Sequence, residues 1–254
     1  MSVLLTCTDV TFSYEGRPAV TDLCFTLERG DYLCVVGENG SGKSTLVKGL
    51  LGLMRPSKGT MAFDPAFDCR RIGYVPQQSS AQRNFPASVT EIVLSGLLGH
   101  KRFFSFYSAA DRARARDILA TLDLDNLHKR SFGELSGGQQ QRVLLARALC
   151  GRADGLELLV LDEPMSGLDP HIKTGLYELV RALNSEQGIT VCMVTHDVNT
   201  AVGYASKMLL LSTHQEFFGS THEFQHNPLG RDLMRDSCGG HCAVCGVGVG
   251  GRDD

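Results

Sequence analysis

Gly37-Glu38-Asn39-Gly40-Ser41-Gly42-Lys43-Ser44 decides how the rest of the chain is read. It matches G-x-x-x-x-G-K-[ST], a loop that cradles phosphate. The glycines let consecutive backbone N–H groups point into one concavity, and the helix that follows adds the partial positive charge of its N-terminus. Lys43 then reaches the β- and γ-phosphates of a nucleotide, and the Ser44 hydroxyl holds Mg²⁺. The flanks agree with this. Tyr32 to Val36 is a short apolar run, predicted as a buried strand. Leu46, Val47, Leu50 and Leu51 recur at helical spacing and predict a helix over Lys43 to Leu53. The plain alternative, a glycine-rich turn with a surface lysine, requires neither flank.

Leu158-Leu159-Val160-Leu161-Asp162-Glu163 supplies the other half of the site. An apolar strand ending in a carboxylate puts Asp162 at the carboxyl edge of a sheet, where ligands bind in open α/β folds. Asp162 is expected to orient Mg²⁺ through its water shell, and Glu163 to polarise the attacking water.

Farther out, Val3 to Tyr14 and Ala19 to Leu27 predict paired strands around Glu15-Gly16-Arg17-Pro18. Ile72 to Val75, Leu156 to Leu161, Thr190 to Val194 and Met208 to Leu211 are strand-like, with a helix at His171 to Leu183. From Ser88 to Leu149 the pattern is helical, at Thr90 to Leu98, Ala109 to Leu122 and Gln139 to Leu149. Strands interrupted by helices and resumed as βα units imply an α/β fold, a mostly parallel sheet with antiparallel strands and an inserted helical subdomain. The expected division is a nucleotide-binding core at 1–78 and 152–235, the helical subdomain at 79–151, and a flexible Cys/His/Gly-rich tail at 236–254.

Composition narrows the function classes. Of 254 residues, 43% are hydrophobic, enough to fill a core and to exclude wholesale disorder. The net charge of −3 argues against a broad basic face for nucleic acid. No apolar stretch approaches the ~20 residues that span a bilayer. Met1 to Arg17 lacks a basic segment followed by an apolar core, so no secretory leader is expected. Six of the nine cysteines are scattered singly, at Cys7, Cys24, Cys34, Cys69, Cys150 and Cys192, and read as reduced thiols of a cytosolic core.

Leu135-Ser136-Gly137-Gly138-Gln139 separates the nucleotide-binding families. Together with the phosphate loop and Asp162-Glu163, it makes the chain resemble the ATPase subunit of an ABC transporter over residues 3–215. The resemblance implies the P-loop core with its helical subdomain, Mg²⁺-dependent ATP hydrolysis, and a homodimer in the ATP-bound state. In that dimer Ser136, Gly137, Gly138 and Gln139 of one subunit cover the γ-phosphate held by the other. Capping of the following helix by the same residues is compatible with this. The resemblance extends the nucleotide loop to Thr45 and assigns adenine stacking to Tyr14, with a core strand tyrosine as the alternative. It makes Gln77 the sensor of Mg²⁺ and water, although the neighbouring Gln78 leaves the register open. Asp169 becomes the carboxylate that crosses the dimer interface. His196 contacts the γ-phosphate and holds the base, Glu163.

The same resemblance implies separate integral membrane permease subunits, docked at the helical insert and the groove near Gln77. The chain would then lie on the cytoplasmic face of the membrane, served indirectly by an extracytoplasmic metal-binding protein. The segment from Phe85 to Gly96, and that from Asp111 to Arg130, resemble zinc- and manganese-uptake ATPases, with Phe85-Pro86-Ala87-Ser88 leaning towards zinc. Siderophore and cobalamin importers are the nearest alternative. The LSGGQ ATPases of DNA repair carry a long coiled coil and those of translation carry two such domains, and neither pattern is present. A nucleotide-binding scaffold without hydrolysis is opposed by Glu163 and His196.

The last 17 residues hold six glycines and the cluster Cys238-Gly239-Gly240-His241-Cys242-Ala243-Val244-Cys245. Cys238, His241, Cys242 and Cys245 are a ligand set that suits Zn²⁺. The adjacency of His241 and Cys242 strains a closed site. His214, His222 and His226 could contribute instead, two tails could share an ion, or the thiols could do nothing.

Overall fold

A two-residue turn at Glu15-Gly16, both with positive φ, closes the first hairpin. Such turns match the natural twist of paired strands. It joins β1 (Val3–Tyr14) to β2 (Arg17–Glu28), so β2 begins two residues before the expected Ala19. β4 (Lys58–Phe63) pairs with the other edge of β1 and completes a three-stranded antiparallel sheet. The computed structural model describes residues 2–77, 86–100, 106–151 and 155–237.

The second sheet has six strands in the order β5-β6-β7-β3-β8-β9. They are β3 (Tyr32–Val36), β5 (Ile72–Val75), β6 (Leu158–Asp162), β7 (Thr190–Val194), β8 (Lys207–Leu211) and β9 (Gln215–Ser220). The first five in that spatial order are parallel, and β9 runs antiparallel to β8. β3, β6 and β7 are buried at every position, as expected for central parallel strands covered on both faces. Alternation splits β3 between two cores. Leu33 and Val35 pack with the antiparallel sheet and α1 (Lys43–Leu50), while Tyr32, Cys34 and Val36 face the helical side.

The helical segment contains α2 (Val89–Ser95), α3 (Ala109–Thr121) and α4 (Gly137–Cys150). Each opens with a capping box, from Ser88, Ser108 and Ser136 respectively. Because Ser136 is the cap, α4 starts at Gly137 rather than at Gln139. α1 ends at Leu50 rather than Leu53, and α5 (Pro170–Gln187) connects β6 to β7. α6 (Val198–Ala201), α7 (Thr221–His226) and α8 (Pro228–Ser237) complete the chain. α8 carries helix to Ser237, past the expected start of the tail at 236. The scattered thiols divide: Cys7, Cys34, Cys150 and Cys192 are buried, whereas Cys24 and Cys69 are exposed. Among the described residues no helix is long and apolar enough to cross a membrane.

Candidate nucleotide site

α1 differs from the other main helices at its first residue. Ser88, Ser108, Ser136 and Asp169 cap α2, α3, α4 and α5 with side-chain oxygens. Gly42 precedes α1 in the left-handed conformation and offers no side chain. The first N–H groups of α1 are therefore left for an outside acceptor, and a phosphate oxygen suits them. Gly37 admits no substitute for a second reason: a Cβ there would sit 2.1 Å from the Leu211 carbonyl oxygen.

A cleft of about 930 Å³ opens over this loop. Gly37, Glu38, Asn39, Gly40, Gly42, Lys43, Ser44 and Thr45 line it, with Tyr14, Gln77, Glu163 and His196. Ser41 is buried within the loop, its backbone N–H donating to the Glu38 carbonyl at 3.2 Å. Lys43 is buried, and its Nζ donates to the carbonyls of Gly37 at 2.8 Å and Glu38 at 2.6 Å. These bonds compensate a buried ammonium that phosphate oxygens could equally satisfy. Burial lowers the Lys43 pKa from its usual value, and the negative charges of Glu163, Asp162 and Glu38 oppose that shift.

The acidic pair occupies two environments. Asp162 ends β6 and is buried. Burial raises its pKa, the Glu163 charge raises it further, and Lys43 works the other way. A buried carboxylate under that pressure fits a divalent cation, which would relieve it. Glu163 turns out of the strand with a φ of 46°, and its backbone N–H donates to the Val194 carbonyl at 3.0 Å. Its Oε2 accepts a 2.8 Å hydrogen bond from Gln77 Nε2, and His196 Nδ1 lies 3.7 Å from the same oxygen. The three residues come from the ends of β5, β6 and β7, neighbours on one sheet edge. Gln77 thus reaches the cleft as expected, and Gln78 lies outside the described residues.

Tyr14 is not a core residue. It is 45% exposed on the cleft wall, and its hydroxyl accepts from Lys48 Nζ at 3.0 Å. That bond lowers the Tyr14 pKa, aided by a second from Thr45. Ser136, Gly137, Gly138, Gln139 and Asp169 are absent from the walls of the cleft. Ser136 Oγ accepts from the Gln139 N–H at 3.3 Å, and the Gln139 side chain accepts from the Ser136 N–H at 3.0 Å. Asp169 caps α5 through the His171 N–H at 3.0 Å. Sequence reasoning missed Thr213, which lines the cleft, donates to the Ser41 carbonyl and accepts from the Thr21 N–H. Its φ of 72° is legible only in the fold. Cys238, His241, Cys242 and Cys245 lie outside the described residues.

A family model described as ABC transporter matches residues 20–166. The zinc uptake system ATP-binding protein ZurA of Listeria innocua is 36% identical over 239 residues, 92% of each chain. The manganese transport system ATP-binding protein MntB of Bacillus subtilis is 38% identical over 216 residues, 84% of this chain and 85% of that protein. A solved transporter described as metal-chelate type, in an inward-facing conformation, superposes with a TM-score of 0.79 at 37% identity, over 88% of this chain and 85% of that one. The phosphate loop, the carboxylate pair and these likenesses agree, and the chain belongs to the ABC transporter family as an ATP-hydrolysing, ATP-binding subunit.

Proposed function

We propose that this ATPase powers an importer of a transition-metal ion, zinc or manganese, with zinc the favoured cargo. The observation that carries the hydrolytic part is the convergence of Gln77 and His196 on Glu163 Oε2 beside the phosphate loop. Glu163 takes a proton from the attacking water, while Gln77 and His196 orient its carboxylate. Lys43 and the loop N–H groups hold the phosphates. Mg²⁺, held through Ser44 and Asp162, supplies charge neutralisation at the phosphate oxygens.

The signature residues 136–139 stand away from the cleft of their own chain, which supports an ATP shared between two subunits. A solved relative at 27% identity and a TM-score of 0.71 is described as a dimeric, post-hydrolysis state bound to ADP and phosphate, over 86% of this chain and 99% of that one. ATP then joins two copies, and hydrolysis releases them. Next to Gln77 in sequence, Pro76 helps line a groove of about 430 Å³ with Glu91 and Ile92 of α2, Phe132, and Leu144 and Arg147 of α4. It suits a helix of the permease, which keeps the subunit on the cytoplasmic face of the membrane. An extracytoplasmic binding protein would deliver the ion.

The cargo reading rests on relatives named for zinc and manganese uptake. Reconstitution with its permease in proteoliposomes tests it. ATP-dependent uptake of radioactive zinc, blocked by Glu163→Gln, is expected. Uptake of a ferric siderophore or cobalamin without zinc transport would overturn the cargo and leave the ATPase intact. Cys238, His241, Cys242 and Cys245 are proposed to bind zinc as a labile sensor that slows ATP turnover. Zinc binding by the full chain, titrated against a chromophoric chelator and unchanged when all four are replaced by serine, would end that part.

A further inference from the structure

His222-Glu223-Phe224-Gln225-His226 lies on α7, and none of the five lines the nucleotide cleft. Its H-E-x-x-H spacing puts two imidazoles on one helical face. The rings are together in the fold, with centroids 4.4 Å apart and planes at 32°. Both residues are exposed, so a metal ion can reach them. His226 Nδ1 donates to the His222 carbonyl at 2.8 Å. That bond leaves the Nε2 lone pair free, the arrangement that metal-binding imidazoles commonly adopt.

The same pattern on a helix serves hydrolytic zinc sites when the glutamate acts as base. Here it cannot. Glu223 Oε2 accepts from the Ser220 N–H at 2.7 Å and from Ser220 Oγ at 2.8 Å, closing the capping box of α7. The carboxylate is committed to the helix start. His214 is not part of the cluster either: it precedes β9 while His222 follows it, and the six residues of β9 separate them by roughly 20 Å.

We propose that His222 and His226 form a two-imidazole chelate for a divalent transition-metal ion of the zinc class, bound through one ring nitrogen from each. Zn–N bonds of about 2.0–2.1 Å need donor nitrogens a little over 3 Å apart, within reach of rings at this separation by small side-chain rotations. Two ligands leave the remaining coordination positions open for water. The site is independent of ATP hydrolysis, so failure of the transport reading would not touch it.

The test uses the full chain with Cys238, Cys242 and Cys245 replaced by serine, which silences those thiols. Zinc is titrated in competition with a chromophoric chelator. One zinc per chain is expected, with affinity falling tenfold or more on adding His222→Gln and His226→Gln. His214→Gln in the same background should leave the affinity unchanged. Circular dichroism melting of each variant checks that the fold is retained. Equal zinc affinity with and without the two imidazoles would overturn the site, as would a loss caused by His214→Gln alone.

Discussion

Gln77 Nε2 donates to Glu163 Oε2 at 2.8 Å, across a sequence separation of 86 residues. The bond ties the end of β5 to the end of β6 and fixes the carboxylate that faces the phosphate loop. Glu163→Gln should keep nucleotide binding and lose turnover by about 10²–10⁴-fold, the usual contribution of a positioned general base. Phosphate release and gel filtration in saturating Mg·ATP read the two effects. A stalled dimer is expected, and near-normal turnover would remove Glu163 from the base role.

Gln77→Ala should lower kcat with little change in ATP affinity, because the side chain orients the base without holding the loop. Lys43→Ala should do the opposite and weaken nucleotide binding first. Fluorescent nucleotide titration beside steady-state kinetics separates the two. Equal losses of affinity in both variants would show that Gln77 is part of the binding surface.

Asp162 pays for its place. Burial and then the Glu163 charge raise its pKa above the usual 3.8. No penalty exists below that ordinary value, where the carboxyl is protonated in the folded and the unfolded chain alike. The penalty grows as pH rises towards the elevated folded value and is complete above it. At neutral pH, Asp162→Asn should therefore raise the melting temperature of the nucleotide-free protein by a few degrees. The same substitution should abolish most of the added stability conferred by Mg²⁺ with ATP. A lower Tm without nucleotide would contradict the assigned direction.

Mixing two defective subunits tests whether the site is shared. A Ser136→Arg chain paired with a Lys43→Ala chain leaves one composite site intact and puts both lesions in the other. Either variant alone damages both sites. ATPase activity in the mixture above that of either variant is expected. Activity no higher than the two separate rates would favour a site within one chain.

Gly49→Ala should reverse the normal helix rule. Alanine in a helix interior is usually better than glycine by about 0.5–1 kcal/mol. Here a Cβ would lie 2.3 Å from the ring of Phe12, which is fully buried. Overpacking of this kind costs about 1–3 kcal/mol. A urea melt should show a lower midpoint, and a stabilised variant would mean that Phe12 can move aside.

Local pattern was enough for the phosphate loop, the buried strands β3, β6 and β7, and the acidic pair. Their signals lie within a few consecutive residues: glycine spacing, an unbroken apolar run, a carboxylate at its end. Gln77 and His196 were legible only by resemblance, since each stands in an unremarkable sequence. β4 and β9 left no alternating pattern, because most of their positions are partly or fully exposed. α7 and α8 are short, and their amphipathic face is set by what they cover.

Chain order alone thus determined which residues could bind phosphate and which carboxylates stood ready at a strand end. Folding decided which of them meet. Parallel strands β5, β6 and β7 finish on one edge, and that brings residues 77, 163 and 196 around a single oxygen. The same three-dimensional arrangement separates Ser136 from the cleft and places Thr213 in its wall. Pairing of distant strands depends on burial summed over the whole core, a quantity that no short window of sequence contains.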